Sequence, residues 1–441
     1  MKVILTDSKN ERIWEEVQLP AGELSCMQRM CVYPDIHRQT IQGFGGAFTE
    51  SAAYCYSKLS PKNKEELLKA YFSEEGLGYN LGRTHINSCD FALSNYAADE
   101  AEGDENLECF SMEREKKYLF PLIHDAEKVR NSAVKLLLSP WSPPAYMKTN
   151  GDMNHGGALK KKYYGRWAKY MVRFAEEMRK EGFMVNWISV QNEPDAVQTW
   201  DSCKYTADEE AEFAGKYLGP ELNKEQLEDV KILVWDHNKE HAFERTREIL
   251  KNKEAERYIS GIAVHWYTGD HFENLALIRE KFPEKEIFFT EGCVEYSRFS
   301  ESNEVQKAEM YAHDMIGNFK NGVCAHIDWN LLLDAQGGPN HVGNYCDAPI
   351  MCTDNFEGIH KNLSYYYIGH FSRYIKPGAR VVPVSSYCQE LESVAFVNPD
   401  GEKAVIVLNR TEKERKINVG EYGKGTAYTV PAHAIATFLW Q

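Results

Sequence analysis

The sequence predicts an α/β fold, a (β/α)8 TIM barrel with a side all-β sandwich formed by both chain termini. Three observations carry this expectation. Short apolar runs recur eight times from about residue 41 to 370, several of them unbroken, such as VKLLL and KILVW. Unbroken apolarity suits parallel strands buried on both faces. Longer amphipathic segments separate these runs, and eight such alternations favour a closed barrel over an open sheet. The two chain ends read differently, as short β-type runs parted by turn residues.

The elements follow in order. Residues 1–40 hold KVILTD, RIWEEVQL and MCVYPD, the N-terminal strands of the sandwich. The barrel is expected over 41–370. Its strand candidates are Gly43–Thr49, Tyr79–Ile86, Ala133–Trp141, Val185–Gln191, Lys231–Trp235, Ile262–Tyr267, Glu286–Thr290 and Val323–Trp329. Between them, Ser60-Pro61 offers an N-cap with proline in the first turn, and Thr206-x-x-Glu209 is a capping box. Gly165–Lys180 sets Trp167, Tyr170, Met171, Phe174 and Met178 at helical spacing, a stripe that faces a core. Residues 371–441 complete the sandwich with SVAFVNPDG, KAVIVLN and TAYTVPAHAIATFLW, and Asn398-Pro399-Asp400-Gly401 marks a turn. Tyr96–Glu115 is an acidic loop placed to rim a site.

Composition narrows the function. The formal charge of −15 disfavours nucleic acid and anionic membrane surfaces as partners. The 11 cysteines are scattered, with no CxxC pair or zinc-type cluster, and read as free thiols of a reducing compartment. MKVILTDSKNERIW lacks a signal-peptide core, and no apolar run approaches the roughly 20 residues of a membrane span. The expectation is a cytoplasmic protein without stable membrane insertion, whose sequons at Asn362 and Asn409 carry no glycan.

In a parallel barrel, reactive side chains gather at the C-terminal ends of the strands. Here those ends are polar and aromatic: Asp90, Trp141, Asn192-Glu193, Asp236, His265-Trp266-Tyr267, Glu291 and Asp328-Trp329-Asn330. Glycoside cleavage needs two carboxyl groups, one to protonate the leaving oxygen and one to attack or to activate water. WISVQNEPD and IFFTEGC each place a glutamate, Glu193 and Glu291, directly after an apolar strand. A lone carboxylate there could equally serve a salt bridge, but two together fit the two-carboxylate design. Trp141, Trp266 and Trp329 are either core or platforms for the apolar face of a sugar. Gly43-Phe44-Gly45-Gly46 lacks the Gly-Lys-Ser/Thr of a phosphate loop, and neither G-x-S-x-G nor HExxH occurs. No histidine pair with spacing suited to a metal is found at the strand ends, so neither a metal nor an organic cofactor is expected.

The runs IQGFGGAFTESAA, YFSEEGLGYNLGRTHINSCDF, LSPWSPPAYMKTNG, QNEPDAVQ, GIAVHWY, FTEGC and DWNLLLDAQGGPN, in this order, closely resemble glycoside hydrolase family 30, in its glucosylceramidase branch. The resemblance implies retaining hydrolysis of a terminal β-linked glucose. It implies Glu193 as acid/base and Glu291 as nucleophile. Asn192 would bond the 2-hydroxyl, and Asp90, Trp141, Asp328 and Trp329 would hold the glycone. Tyr267 would bond the nucleophile, and Asn344 would lie at the rim. From the strand-end position, His265 and Trp266 join this substrate-binding set. The mechanism requires Glu193 raised toward neutrality, by burial and by Glu291 beside it, and Glu291 ionised. Substrates in view are a β-glucosyl oligosaccharide, aryl glucoside or glycolipid. DAVQTWDSCKYTADE, after QNEP, is polar and suggests an aglycone side not built for lipid. The same machinery could serve a β-xylosidase, β-1,6-glucanase or β-fucosidase, and a non-catalytic sugar-binding barrel would have lost one carboxylate.

Overall fold

In the computed structural model, residues 1–20, 22–23 and 28–441 are described. Eight parallel strands close a barrel: β1 (Gly43–Ala47), β2 (Leu81–Ile86), β3 (Lys135–Pro140), β4 (Met184–Ser189), β5 (Lys231–Asn238), β6 (Ile259–His265), β7 (Glu286–Glu291) and β8 (Val323–Asn330). Each pairs with its sequence neighbour, and β8 returns to β1 through Ala325↔Gly43 and Ile327↔Gly45. The glycine cluster of β1 is therefore strand. A Cβ on Gly45 would stand 2.1 Å from the Leu81 carbonyl oxygen, so only glycine allows β1 and β2 to approach this closely.

Inside the barrel, Leu81, Leu137, Trp187, Leu233, Ala263 and Phe288 pack with Ala325 and Ile327 of β8. Successive inward positions on a strand lie two residues apart. One step toward the C-terminal end, the same face carries Arg83, Ser139, Ser189 and Thr290, all buried. The interior thus changes from hydrocarbon to polar within one layer. Helices jacket the strands with their apolar stripes, among them Tyr164–Lys180, whose Trp167, Tyr170, Met171, Phe174 and Met178 are fully buried. The Ser60 and Thr206 side chains cap their helices as their spacing predicts.

The sandwich joins both chain ends. One sheet orders Arg380–Val382, Leu391–Val397, Lys403–Asn409, Ala434–Trp440, Lys2–Asp7 and Arg12–Gln18; the other includes Val384–Ser386, Arg29–Val32, Arg415–Glu421 and Lys424–Val430. Val3, Leu5, Val405, Val407 and Phe438 meet Ile417, Val419 and Val430 in its core. Helix Leu363–Ser372 ties it to the barrel: His370 bonds Thr6 and Thr437 at 2.8 Å each. The ten described cysteines are free, and Cys26 lies outside the described residues. No helix among the described residues is long and apolar enough to cross a membrane.

Candidate active site

A cavity of about 400 Å³ opens at the C-terminal ends of the strands. Asp90, Trp141, Asn192, Glu193, Tyr267, Glu291, Trp329 and Asn344 line it, so eight of the eleven residues given catalytic or substrate-binding roles from sequence meet at one place.

Arg83, fully buried at the inward face of β2, organises the floor. Its Nη1 donates to Glu291 Oε2 at 2.5 Å, and its Nη2 donates to Asn192 Oδ1 and to Asp236 Oδ2, both at 2.8 Å. Asp236 Oδ1 in turn accepts from Thr290 Oγ1 at 2.7 Å and lies 3.1 Å from His265 Nε2. The other nitrogen of His265, Nδ1, lies 3.2 Å from Glu193 Oε1. One unbroken chain therefore runs Glu291–Arg83–Asp236–His265–Glu193 and links both glutamates through the barrel interior. The second oxygen of Glu291 accepts from the Tyr267 hydroxyl at 2.9 Å.

The backbone is bent to build this chain. Glu193, Trp235 and Asp236 have φ of 47°, 72° and 45°, a left-handed region that non-glycine residues adopt at a cost. The Glu193 amide donates to the Asp236 carbonyl at 2.9 Å, which locks the two bent strand ends together.

Charge follows from this geometry. Burial opposes ionisation of Asp236, but Arg83 and His265 outweigh it and hold the carboxyl far below its usual range. Burial disfavours a cationic His265, yet Glu291, Asp236 and Glu193 push it up to about 9. Burial likewise resists a charged Glu193, and His237 and His265 overcome it and lower the carboxyl. Glu291 is raised by burial and by the Glu193 charge, against the pull of His265 and Arg83. The ordering expected from sequence, Glu193 raised and Glu291 the readily ionised partner, is thus reversed. Two imidazoles stand at Glu193: His265 belongs to the GIAVHWY run, whereas no quoted motif contains His237. Asp90, desolvated and near Glu291, is pushed up to about 7 and accepts from the Asn340 and Asn344 amides at 3.2 and 3.3 Å.

Glu193, His237 and His265 bring three donor atoms within 4.8 Å of one another, a set that could hold a cation. Sequence spacing conceals this pairing because the two histidines sit on different strands. The His265–Asp236 contact gives the same atoms a second use, in holding a proton.

Residues 41–375 match the glycosyl hydrolase family 30 TIM-barrel domain, and residues 378–438 match the family's β-sandwich domain. The chain belongs to glycoside hydrolase family 30. Family relatives include a lysosomal acid glucosylceramidase of Mus musculus, 34% identical over 93% of this chain and 83% of that one. An endo-1,6-β-D-glucanase of Aspergillus fumigatus is 26% identical over 91% of this chain and 85% of that one. Among solved structures, SrfJ of Salmonella typhimurium superposes with a TM-score of 0.96 at 42% identity, covering 100% of this chain and 99% of that one. An endo-β1,6-glucanase gives 0.90 at 28%, covering 100% and 99%.

Within this family 30 site, three expected residues lie off the cavity wall. His265 sits beneath it, in the chain described above. Trp266 turns away from this cavity and lines the smaller one beside it: its indole N–H donates to the Cys293 carbonyl at 3.2 Å, and its ring packs on Phe289 and Tyr311. Asp328 is buried away from the cavity with its carboxyl held well above the usual range by desolvation. Trp141 and Trp329 do reach the wall, stacked at 5.3 Å, with the Arg83 guanidinium 4.7 and 5.5 Å from their rings. Arg83, His237, Gln198, Trp200 and Arg298 were not singled out from sequence. A charged residue in the middle of a strand buried on both faces, as in LGRTHI, is the signal that could have found Arg83.

Proposed function

We propose that this family 30 glycoside hydrolase is a retaining β-glucosidase that releases terminal β-linked glucose, with Glu291 as nucleophile and Glu193 as acid/base. The observation that carries the reading is the unequal dressing of the two glutamates. Donors grip both oxygens of Glu291, Arg83 on one and Tyr267 on the other, which aims the carboxylate, and Arg83 offsets part of the burial that raises it. Glu193 Oε1 instead shares its site with an imidazole backed by Asp236, a partner able to give and take a proton.

One proton lies between Glu193 Oε1 and His265 Nδ1. Glu291 attacks the anomeric carbon, the glycosidic C–O bond breaks, and the Glu193–His265 pair delivers its proton to the departing oxygen. Water then attacks the anomeric carbon of the glycosyl-enzyme ester. The pair takes the proton of that water, the ester C–O bond breaks, and glucose leaves with its configuration retained. Asp90, held by Asn340 and Asn344, and the indoles of Trp141 and Trp329 bind the glycone. The glucosylceramidase relatives support glucose as that sugar.

A panel of nitrophenyl β-glycosides tests this. The β-glucoside is cleaved fastest, and a chelator leaves the rate unchanged, since each proton step uses groups of this chain. Preference for the β-xyloside or β-fucoside would reassign the glycone; no turnover on any of them would refute the reading.

A further inference from the structure

A second cavity, of about 260 Å³, adjoins the first and shares Tyr267, Thr268 and Arg298 with it. It runs from the β6 and β7 loops to Arg410, just beyond sandwich strand Lys403–Asn409. We propose that this cleft between barrel and sandwich binds the aglycone, and that the aglycone is an uncharged saccharide. This rests on the glycosidase reading above.

Two features of the lining select that chemistry. The charges along it are paired. Arg298 donates to Glu295 at 3.1 Å, Arg410 donates to Glu392 at 2.6 Å, and His313 is held between Glu392 at 2.6 Å and Asp270 at 3.0 Å. An anionic or cationic aglycone would find no unmatched opposite charge in these pairs. Yet the pairs stay partly open, with the Arg298 and Arg410 side chains 46% and 43% exposed, so their remaining N–H and oxygen sites face whatever enters. Hydroxyl groups satisfy such sites. An acyl chain would strip water from them and return nothing.

The second feature is the half-buried Phe299 and Met310 in the same wall. A pyranose presents an apolar C–H face and a hydroxyl edge, and so matches an aromatic and thioether surface rimmed by paired charges. A lipid-contacting surface is marked by a contiguous exposed apolar patch larger than a few hundred Å². Among the described residues, the large exposed apolar side chains next to cavity-lining positions are Val197 and Tyr345, and neither lines this cleft.

The test compares β-linked glucobioses and glucotrioses of 1→3, 1→4 and 1→6 linkage, nitrophenyl β-glucoside and a fluorescent glucosylceramide in detergent micelles. For one linkage the triose should exceed the biose in kcat/KM about tenfold, and should exceed the glucosylceramide. Arg410→Ala, and independently Met310→Trp to fill the cleft, should lower the ratio of triose to nitrophenyl glucoside turnover about tenfold. Thermal midpoints confirm that each variant folds. Calorimetric binding of the triose to Glu291→Gln, with and without Met310→Trp, reads the cleft without hydrolysis and should weaken about tenfold. Ratios and binding unaltered in both folded variants would overturn the proposal, as would glucosylceramide as the best substrate. Failure to cleave nitrophenyl glucoside would instead overturn the glycosidase reading and leave the binding arm to decide this one.

Discussion

Two adjacent layers of the barrel interior use the same strands for opposite purposes. Leu81, Leu137, Trp187 and Phe288 fill the first with hydrocarbon; Arg83, Ser139, Ser189 and Thr290, two residues on, fill the second with hydrogen bonds around Asp236. The first layer is held by area and shape, and tolerates exchange among apolar residues of similar volume. The second desolvates a guanidinium, three carboxylates and an imidazole, and is stable only while each buried charge keeps an opposite partner. The fold rests on the lower layer, and the chemistry hangs on the upper one.

Breaking the upper layer at its catalytic end has the largest effect. Glu291→Gln should lower kcat on substrates with poor leaving groups by several orders of magnitude, while the thermal midpoint moves little. A comparable loss of folding would mean that the carboxylate is structural. Arg83→Met should break both functions of the layer. Loss of the guanidinium leaves Asp236 and Glu291 buried without their main partner, at a cost of about 3–5 kcal/mol in denaturant unfolding, and kcat/KM falls as well. In the lower layer, Phe288→Ala should cost a similar ~3–5 kcal/mol from the cavity it opens, with kcat per folded molecule nearly retained. If Phe288→Ala abolished activity in folded protein, the two layers would not be separable.

A smaller effect sharpens the comparison through pH. The ascending limb of kcat/KM should lie above the ordinary glutamate value of about 4.3, because burial raises Glu291. The descending limb belongs to the Glu193–His265 pair and should fall toward pH 9, where His265 loses its proton. In His265→Gln, Glu193 loses a cation that keeps the pair protonated in alkali, so the descending limb moves down. Glu291 loses a stabilising positive charge, so the ascending limb moves up. The bell narrows from both sides; a profile of unaltered width would show that His265 does not share the proton.

The barrel and sandwich were legible because parallel strands buried on both faces leave unbroken apolar runs, and VKLLL or KILVW can hardly be anything else. Glu193 and Glu291 stand out in the sequence because a carboxylate after such a run has no packing reason to be there, and both lie on the cavity wall. Arg83 obeys the same logic in the middle of LGRTHI, but the strand-end rule directs attention past it. Trp266 shows the effect of alternation. In HWY its neighbours point to the site chain and to the active-site cavity, while its own ring turns to Tyr311 and the adjoining smaller cavity. Spacing along the chain also conceals the meeting of His237 and His265, since adjacent strands bring together residues far apart in sequence.

In the proposed mechanism Glu291 attacks and Glu193 handles the proton. Azide rescue with an activated aryl β-glucoside tests it most directly. Glu193→Gln still forms the glycosyl-enzyme, because the leaving group needs no proton, and azide, which needs no base, should restore turnover as β-glucosyl azide. Glu291→Gln forms no intermediate, so azide attacking the opposite face should yield at best the α-azide. Proton NMR of the anomeric signal reads the outcome. A β-azide from the Glu291 variant with an α-azide from the Glu193 variant would contradict the account and exchange the two roles.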